Sequence, residues 1–190
     1  MSPQWWSRWI WRRERGTTPH PPLFFNSRVG FEAARLPDGR VVCAGGGHRD
    51  YREDDEDGIY PASITAEVLE PPEQGSPDGV WRWRELPHMR IQRQSAAGCV
   101  LSDGRFAVFG GEDGEGVETA SCEVLNLDGD ERWEPLAPML EGRSGFTCAA
   151  VGGCVVVAGG DEATAAVEVY EEALRRWRRL PCSLPHGGGL

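Results

Sequence analysis

Short apolar runs, each closed by a turn, follow one another along the chain. Residues 99–111, CVLSDGRFAVFGG, show the pattern in full: an apolar run, Ser-Asp-Gly, a second apolar run, then two glycines. Runs this short between turn residues predict strands rather than helices. Asp103-Gly104 supplies the backbone freedom that a tight hairpin needs. Nearly the same phrase occurs twice more, as ARLPDGRVVCAGG ending at Gly46 and AAVGGCVVVAGG ending at Gly160. The longest apolar run, Cys148–Ala158, is interrupted by Gly152-Gly153. It falls short of the roughly 18 residues that a membrane span requires.

Around the three hairpins, four landmarks recur in fixed order. An arginine comes first (Arg28, Arg93, Arg143), then a Gly-Gly pair (Gly45-Gly46, Gly110-Gly111, Gly159-Gly160). A Glu-Val-apolar triplet follows at Glu67, Glu123 and Glu168. A tryptophan three residues before a leucine closes each unit (Trp83/Leu86, Trp133/Leu136, Trp177/Leu180). Arginine to first glycine measures 17, 17 and 16 residues, whereas second glycine to glutamate measures 21, 12 and 8. The constant interval marks strands and a hairpin, and the variable one marks a surface loop.

Each unit therefore reads as four strands: in the second, a at Ser95–Leu101, b at Arg105–Phe109, c at Ser121–Asn126 and d at Arg132–Leu136. Paired glycines ending strand b adopt dihedrals closed to other residues and let another backbone approach. Four-stranded units of about 50 residues stacked on copies of themselves are the mark of β-propeller blades. With Gly-Gly after strand b, Glu-Val on strand c, Trp-x-x-Leu on strand d, and Met89 and Met139 four residues before their arginines, residues 28–183 resemble the kelch-repeat family. The expected fold is all-β, with kelch-type four-stranded antiparallel blades, about three repeats and an incomplete ring. Blades are expected at 28–89, 90–139 and 140–190, the last including the lead-in to a missing strand a after Leu180. Closed propellers have 4–8 blades, so two readings stay open. One is part of a longer propeller; the other is a homodimer closing a six-bladed ring.

Composition refines this picture. Of 190 residues, 25 are glycine and 14 proline, the balance expected of short strands and many turns. The six cysteines form no C-x-x-C and no zinc-type spacing. They read as small apolar side chains in a reducing compartment, and the expected location is cytoplasmic. The net charge of −10 divides into +4 over residues 1–28 and −14 over the rest. An acidic body argues against a general nucleic-acid binder. Residues 1–27, rich in tryptophan and arginine, lack the blade landmarks. They admit an amphipathic surface helix, a transit peptide or an extension covering the first blade.

Alternation of strand direction places b–c and d–a loops on one face and a–b and c–d loops on the other. The first face carries His88, Arg90, Arg93 and Arg143. Kelch domains that bind acidic segments do so through arginines at the positions of Arg93 and Arg143. The resemblance thus implies Arg28, Arg93 and Arg143 as partner contacts, because an arginine fork holds a carboxylate bidentately, and Arg90 and His88 on the same connectors join them as candidates. The competing reading has each landmark arginine bracing its own blade through backbone carbonyls or a glutamate. The acidic run Glu53–Asp57 fails the EF-hand pattern, since Ile64 stands at the twelfth position. The RRWRRL segment, residues 175–180, has Glu168, Glu171 and Glu172 close by as partners.

Some kelch relatives are copper-dependent oxidases, but the histidines and tyrosines here do not recur from blade to blade. The expected function is a noncatalytic protein-interaction module, with no cofactor, no metal, no nucleic acid and no membrane partner. The alternative is an incomplete propeller of a metal-dependent oxidase-like protein.

Overall fold

A computed structural model describes residues 28–47, 61–72, 79–160 and 165–183. Twelve strands run through them: β1 (Glu32–Arg35), β2 (Val41–Ala44), β3 (Ala66–Glu70), β4 (Arg82–Leu86), β5 (Ala97–Val100), β6 (Phe106–Phe109), β7 (Cys122–Asn126), β8 (Arg132–Leu136), β9 (Thr147–Val151), β10 (Cys154–Ala158), β11 (Ala166–Glu171) and β12 (Arg176–Ser183). They form three four-stranded antiparallel sheets in simple meander order, β1–β4, β5–β8 and β9–β12. The only helix among the described residues is one 3-10 turn, Glu172–Leu174. The ring is open.

The Asp-Gly-Arg hairpins close by local chemistry. The Asp103 carboxylate accepts the Arg105 backbone N–H at 3.0 Å and the Arg105 Nε–H at 2.8 Å. Asp38 does the same for Arg40 at 3.0 and 2.7 Å. In each turn the adjacent arginine holds the aspartate below the usual carboxylate range, although partial burial of Asp103 opposes it.

Two apolar clusters hold the sheets face to face. Blades 1 and 2 share Val42, Val68, Leu86, Met89, Phe106, Val108, Leu125 and Trp133. Blades 2 and 3 share Leu101, Phe109, Val124, Met139, Val155, Val157, Tyr170 and Trp177. The strand-d tryptophans explain the Trp-x-x-Leu landmark. Trp133 Nε1 donates to the Pro87 carbonyl at 2.9 Å and Trp177 Nε1 to that of Ala137 at 2.8 Å. Each indole thus reaches back to the segment leaving the preceding blade, while its ring meets Phe106 or Phe109 edge-on.

The glycine pairs make the blades fit. A Cβ on Gly110 would lie 2.6 Å from the Arg143 carbonyl oxygen, and one on Gly45 2.7 Å from that of Arg93. The first glycine of these two pairs therefore leaves room for the connector running into the next blade. Its partner hydrogen-bonds there, Gly46 N–H to Arg93 O and Gly111 N–H to Arg143 O, at 2.8 and 2.9 Å.

One expectation changes at the end of blade 3. Residues 181–183 continue strand d as β12 rather than leaving it toward another strand a. Between the pairs Glu168–Arg179 and Ala166–Ser183, β12 carries Leu180, Pro181 and Cys182 opposite Val167 alone, so β12 is the bulged strand. The longer edge strand follows from that bulge. The 1–27 extension and the acidic run at 53–57 lie outside the described residues, as do His20, His48 and His186.

Candidate functional site

Among the described residues, the b–c loops and d–a connectors gather on one face. Backbone bridges join Ser63 to Arg93, Gln94 to Glu112 and Val29 to Gly47. The opposite face carries the a–b turns and c–d loops. There Ser102 donates its N–H and hydroxyl to Glu172 at 3.0 and 2.6 Å, and Arg84 clasps Glu131 with two 2.8 Å bonds.

On the first face, the landmark arginines point inward. Arg93 is 1% exposed. Its Nη1 donates to the carbonyls of Gly110 (2.7 Å) and Ser121 (2.8 Å), and its Nη2 to Ser121 Oγ (2.8 Å) and Glu123 Oε1 (3.0 Å). Arg143 repeats the arrangement with the carbonyls of Gly159 and Ala166 and with Glu168 Oε1 at 2.6 Å. Arg28 does so with the carbonyls of Gly45 and Thr65 and with Glu67 Oε1 at 2.5 Å. The second carboxylate oxygen takes a backbone N–H from the incoming connector, Arg90 N–H on Glu123 and Leu140 N–H on Glu168.

This corrects the expectation of partner contact for Arg28, Arg93 and Arg143: the structure places them inside the fold. The Arg93 backbone bonds blade 1 at Gly46 and Ser63, while its side chain bonds blade 2. One residue thereby stitches two blades. A buried guanidinium with a fixed carboxylate and two fixed carbonyls has no fork left to offer a ligand. Each Nε remains without a hydrogen-bond partner. The other two expected contacts, His88 and Arg90, are exposed on this face.

What the surface presents instead is the blade 2 loop, which stands out in the sequence only as a variable interval. Asp113 organises it, its Oδ1 accepting the N–H groups of Glu115 and Val117 at 2.9 and 3.0 Å. An Asp113 N–H bond to Val117 O and a Thr119 N–H bond to Gly111 O close the loop on itself. Val117 is held out at 55% exposure between Glu115 and Glu118. Glu118 is anchored from the neighbouring connector, where the Ser144 N–H and hydroxyl donate to its Oε1 at 2.9 and 2.8 Å. Ser144 also reaches Glu112 at 3.3 Å. The only sign of this anchoring in the sequence is a serine following a landmark arginine.

The arginines of RRWRRL sit on the outer edge and are largely committed. Arg176 and Arg178 share Glu171 at 3.0 and 2.8 Å, and Arg179 pairs with Glu141. No group of three or more His, Cys, Asp or Glu side chains among the described residues is arranged to hold a metal ion. No described helix is long and apolar enough to cross a membrane.

No family model matches the chain. It is 30% identical over 117 residues to an F-box/kelch-repeat protein of Arabidopsis thaliana, a match covering 53% of this chain and 30% of that protein. It superimposes on the solved structure of YjhT with a TM-score of 0.64 at 14% identity, covering 85% of this chain and 53% of that one. The chain thus spans about half of the solved relative and less than a third of the curated one. The landmarks, the meander sheets and the likeness to YjhT together show three four-stranded blades of an open β-propeller, whose repeats resemble those of kelch-repeat proteins.

Proposed function

We propose that the chain is a noncatalytic protein-interaction module whose binding surface is the face of the b–c loops and d–a connectors, centred on residues 112–119. The observation that carries this reading is the division of labour on that face. The repeated arginines are spent on the scaffold, while an ordered, unrepeated loop projects Val117 among acidic side chains. A rigid scaffold beneath a pre-ordered loop lowers the entropy lost on binding. Exposed Val117 and Leu140 supply apolar contact, and Glu115 with Asp113 favours a basic partner segment. This reverses the sign of partner that the arginines suggested.

In the same reading, a second copy of the chain completes the ring. Three blades here match about half of the YjhT chain, a ratio that supports a closed ring of about six. A mass near twice that of the monomer by light scattering is the expected result, and a stable monomer would remove the homodimer.

The test of the binding face is a comparison of captured proteins. Glu115→Lys with Val117→Ser should lose basic partners that the wild type retains, while Arg132→Glu on the opposite face should keep them. Identical capture by all three proteins would overturn the assignment.

A further inference from the structure

The inner strands of neighbouring blades lie side by side, and the strand pleat decides which residues face across each boundary. Counted from the landmark arginine, the sixth position (Ala34, Cys99) points toward the following blade, and Ala149 holds the same position on the open side of blade 3. The fifth (Gly98, Cys148) points toward the preceding one, and Ala33 holds the same position on the open side of blade 1. Between blades 1 and 2 the facing pair is Ala34 and Gly98. Between blades 2 and 3 it is Cys99 and Cys148, both half-buried against the same apolar cluster, on strands whose Cα atoms approach within 8 Å. Small residues suit these positions because the inner strands converge there. Two thiols at the one boundary therefore stand opposite each other.

We propose that Cys99 and Cys148 are a redox pair that closes to a disulfide across the boundary between blades 2 and 3. A hydroperoxide is the oxidant class. The Cys99 thiolate attacks the peroxide oxygen, giving a sulfenic acid and releasing one water (or alcohol). The Cys148 sulfur then displaces hydroxide from the Cys99 sulfur, losing its proton and releasing a second water. Two thiols lose two electrons and two protons, and the peroxide is reduced. The electrostatics suit this order. The Cys148 thiol beside it holds Cys99 below the usual thiol range, and the same contact with burial pushes Cys148 up. Cys43 and Cys122 are poor competitors, since burial pushes each up to about 12.

The experiment treats the full chain with hydrogen peroxide, blocks remaining thiols with N-ethylmaleimide and maps the peptides. The expected result is a Cys99–Cys148 cross-linked peptide that dithiothreitol removes. It should accompany a rise of about 5–10 °C in the melting temperature. Cys99→Ala should show neither. Alanine and glycine at the matching boundary make that variant well tolerated, and the wild-type peptide map stands without it. Recovery of Cys99 and Cys148 as separate maleimide adducts, at peroxide levels that oxidise exposed Cys182, would overturn the proposal. So would a cross-link from Cys99 to any other cysteine.

Discussion

Arg93 and Arg90 stand three residues apart in one connector, yet one is sealed inside the fold and the other is exposed. The same contrast separates the whole connector from the loop at 112–119. Connector chemistry is copied from blade to blade: arginine to glutamate, glycine under carbonyl, indole to the preceding chain. The loop is not copied, because its length differs in every unit. In a repeat array, what recurs is what every blade boundary needs in order to pack. A binding surface meets its partner once and has no reason to recur.

The sharpest way to break this comparison is Arg93→Ala. It strands the Glu123 carboxylate in the interior and takes the side-chain donor from the Gly110 carbonyl, so a loss of about 3–5 kcal/mol is expected in urea unfolding. Arg93→Lys should recover little, because a single ammonium nitrogen with three donors cannot replace two guanidinium nitrogens that meet four acceptors from separate positions. Arg90→Ala should change stability by less than about 0.5 kcal/mol. Wild-type stability in Arg93→Ala, with loss of acidic ligands, would return the residue to the surface role.

Next comes a pair of glycines sharing one backbone conformation. Gly110 has φ of 59°, and a Cβ there would meet the Arg143 carbonyl oxygen at 2.6 Å, whereas Gly116 has φ of 75° and nothing within 4 Å. Alanine should cost about 3 kcal/mol at the first and about 1 kcal/mol at the second. Equal costs would mean that left-handed strain, not blade approach, explains the paired glycines.

Glu32, on the inner strand of blade 1, gives a smaller effect that depends on pH. Burial pushes its carboxyl from 4.5 to about 7, although a Gly98 backbone hydrogen bond opposes the shift. A raised carboxyl binds its proton more tightly in the folded chain, so its contribution to stability is lost as pH rises from about 4.5 to about 7. Glu32→Gln should flatten that segment of the stability profile by about 1–3 kcal/mol, the range allowing for partial exposure. An unchanged slope would refute the shift. Smallest of all, Glu115→Lys with Val117→Ser should leave unfolding within about 0.5 kcal/mol of wild type. A larger loss would mean that the loop braces the blades too.

Much of the architecture was legible because it is local and repeated. Asp103-Gly104-Arg105 closes its turn with its own side chains, and a period measured against Arg93, Gly110 and Trp133 identifies the blade. The direction of Arg93 was not legible. A brace and a repeated contact leave the same mark in a sequence, and the groups that choose between them lie 17 to 30 residues away. Residues 181–183 misled for a related reason, since Pro181 reads as the end of strand d but sits in a bulge of β12 that carries the strand on to Ser183. The Cys99–Cys148 opposition needed both the pleat and the stacking order of the blades.

Turns, strands, blade count and the stacking of apolar faces thus follow from the order of residues, because each depends on neighbours along the chain or on a period that repeats. Which arginine is buried, which loop is presented and which cysteines meet depend on contacts between blades. Those contacts are made by packing, and desolvation then settles the outcome: a guanidinium taken out of water has to find fixed acceptors, and a loop left in water does not.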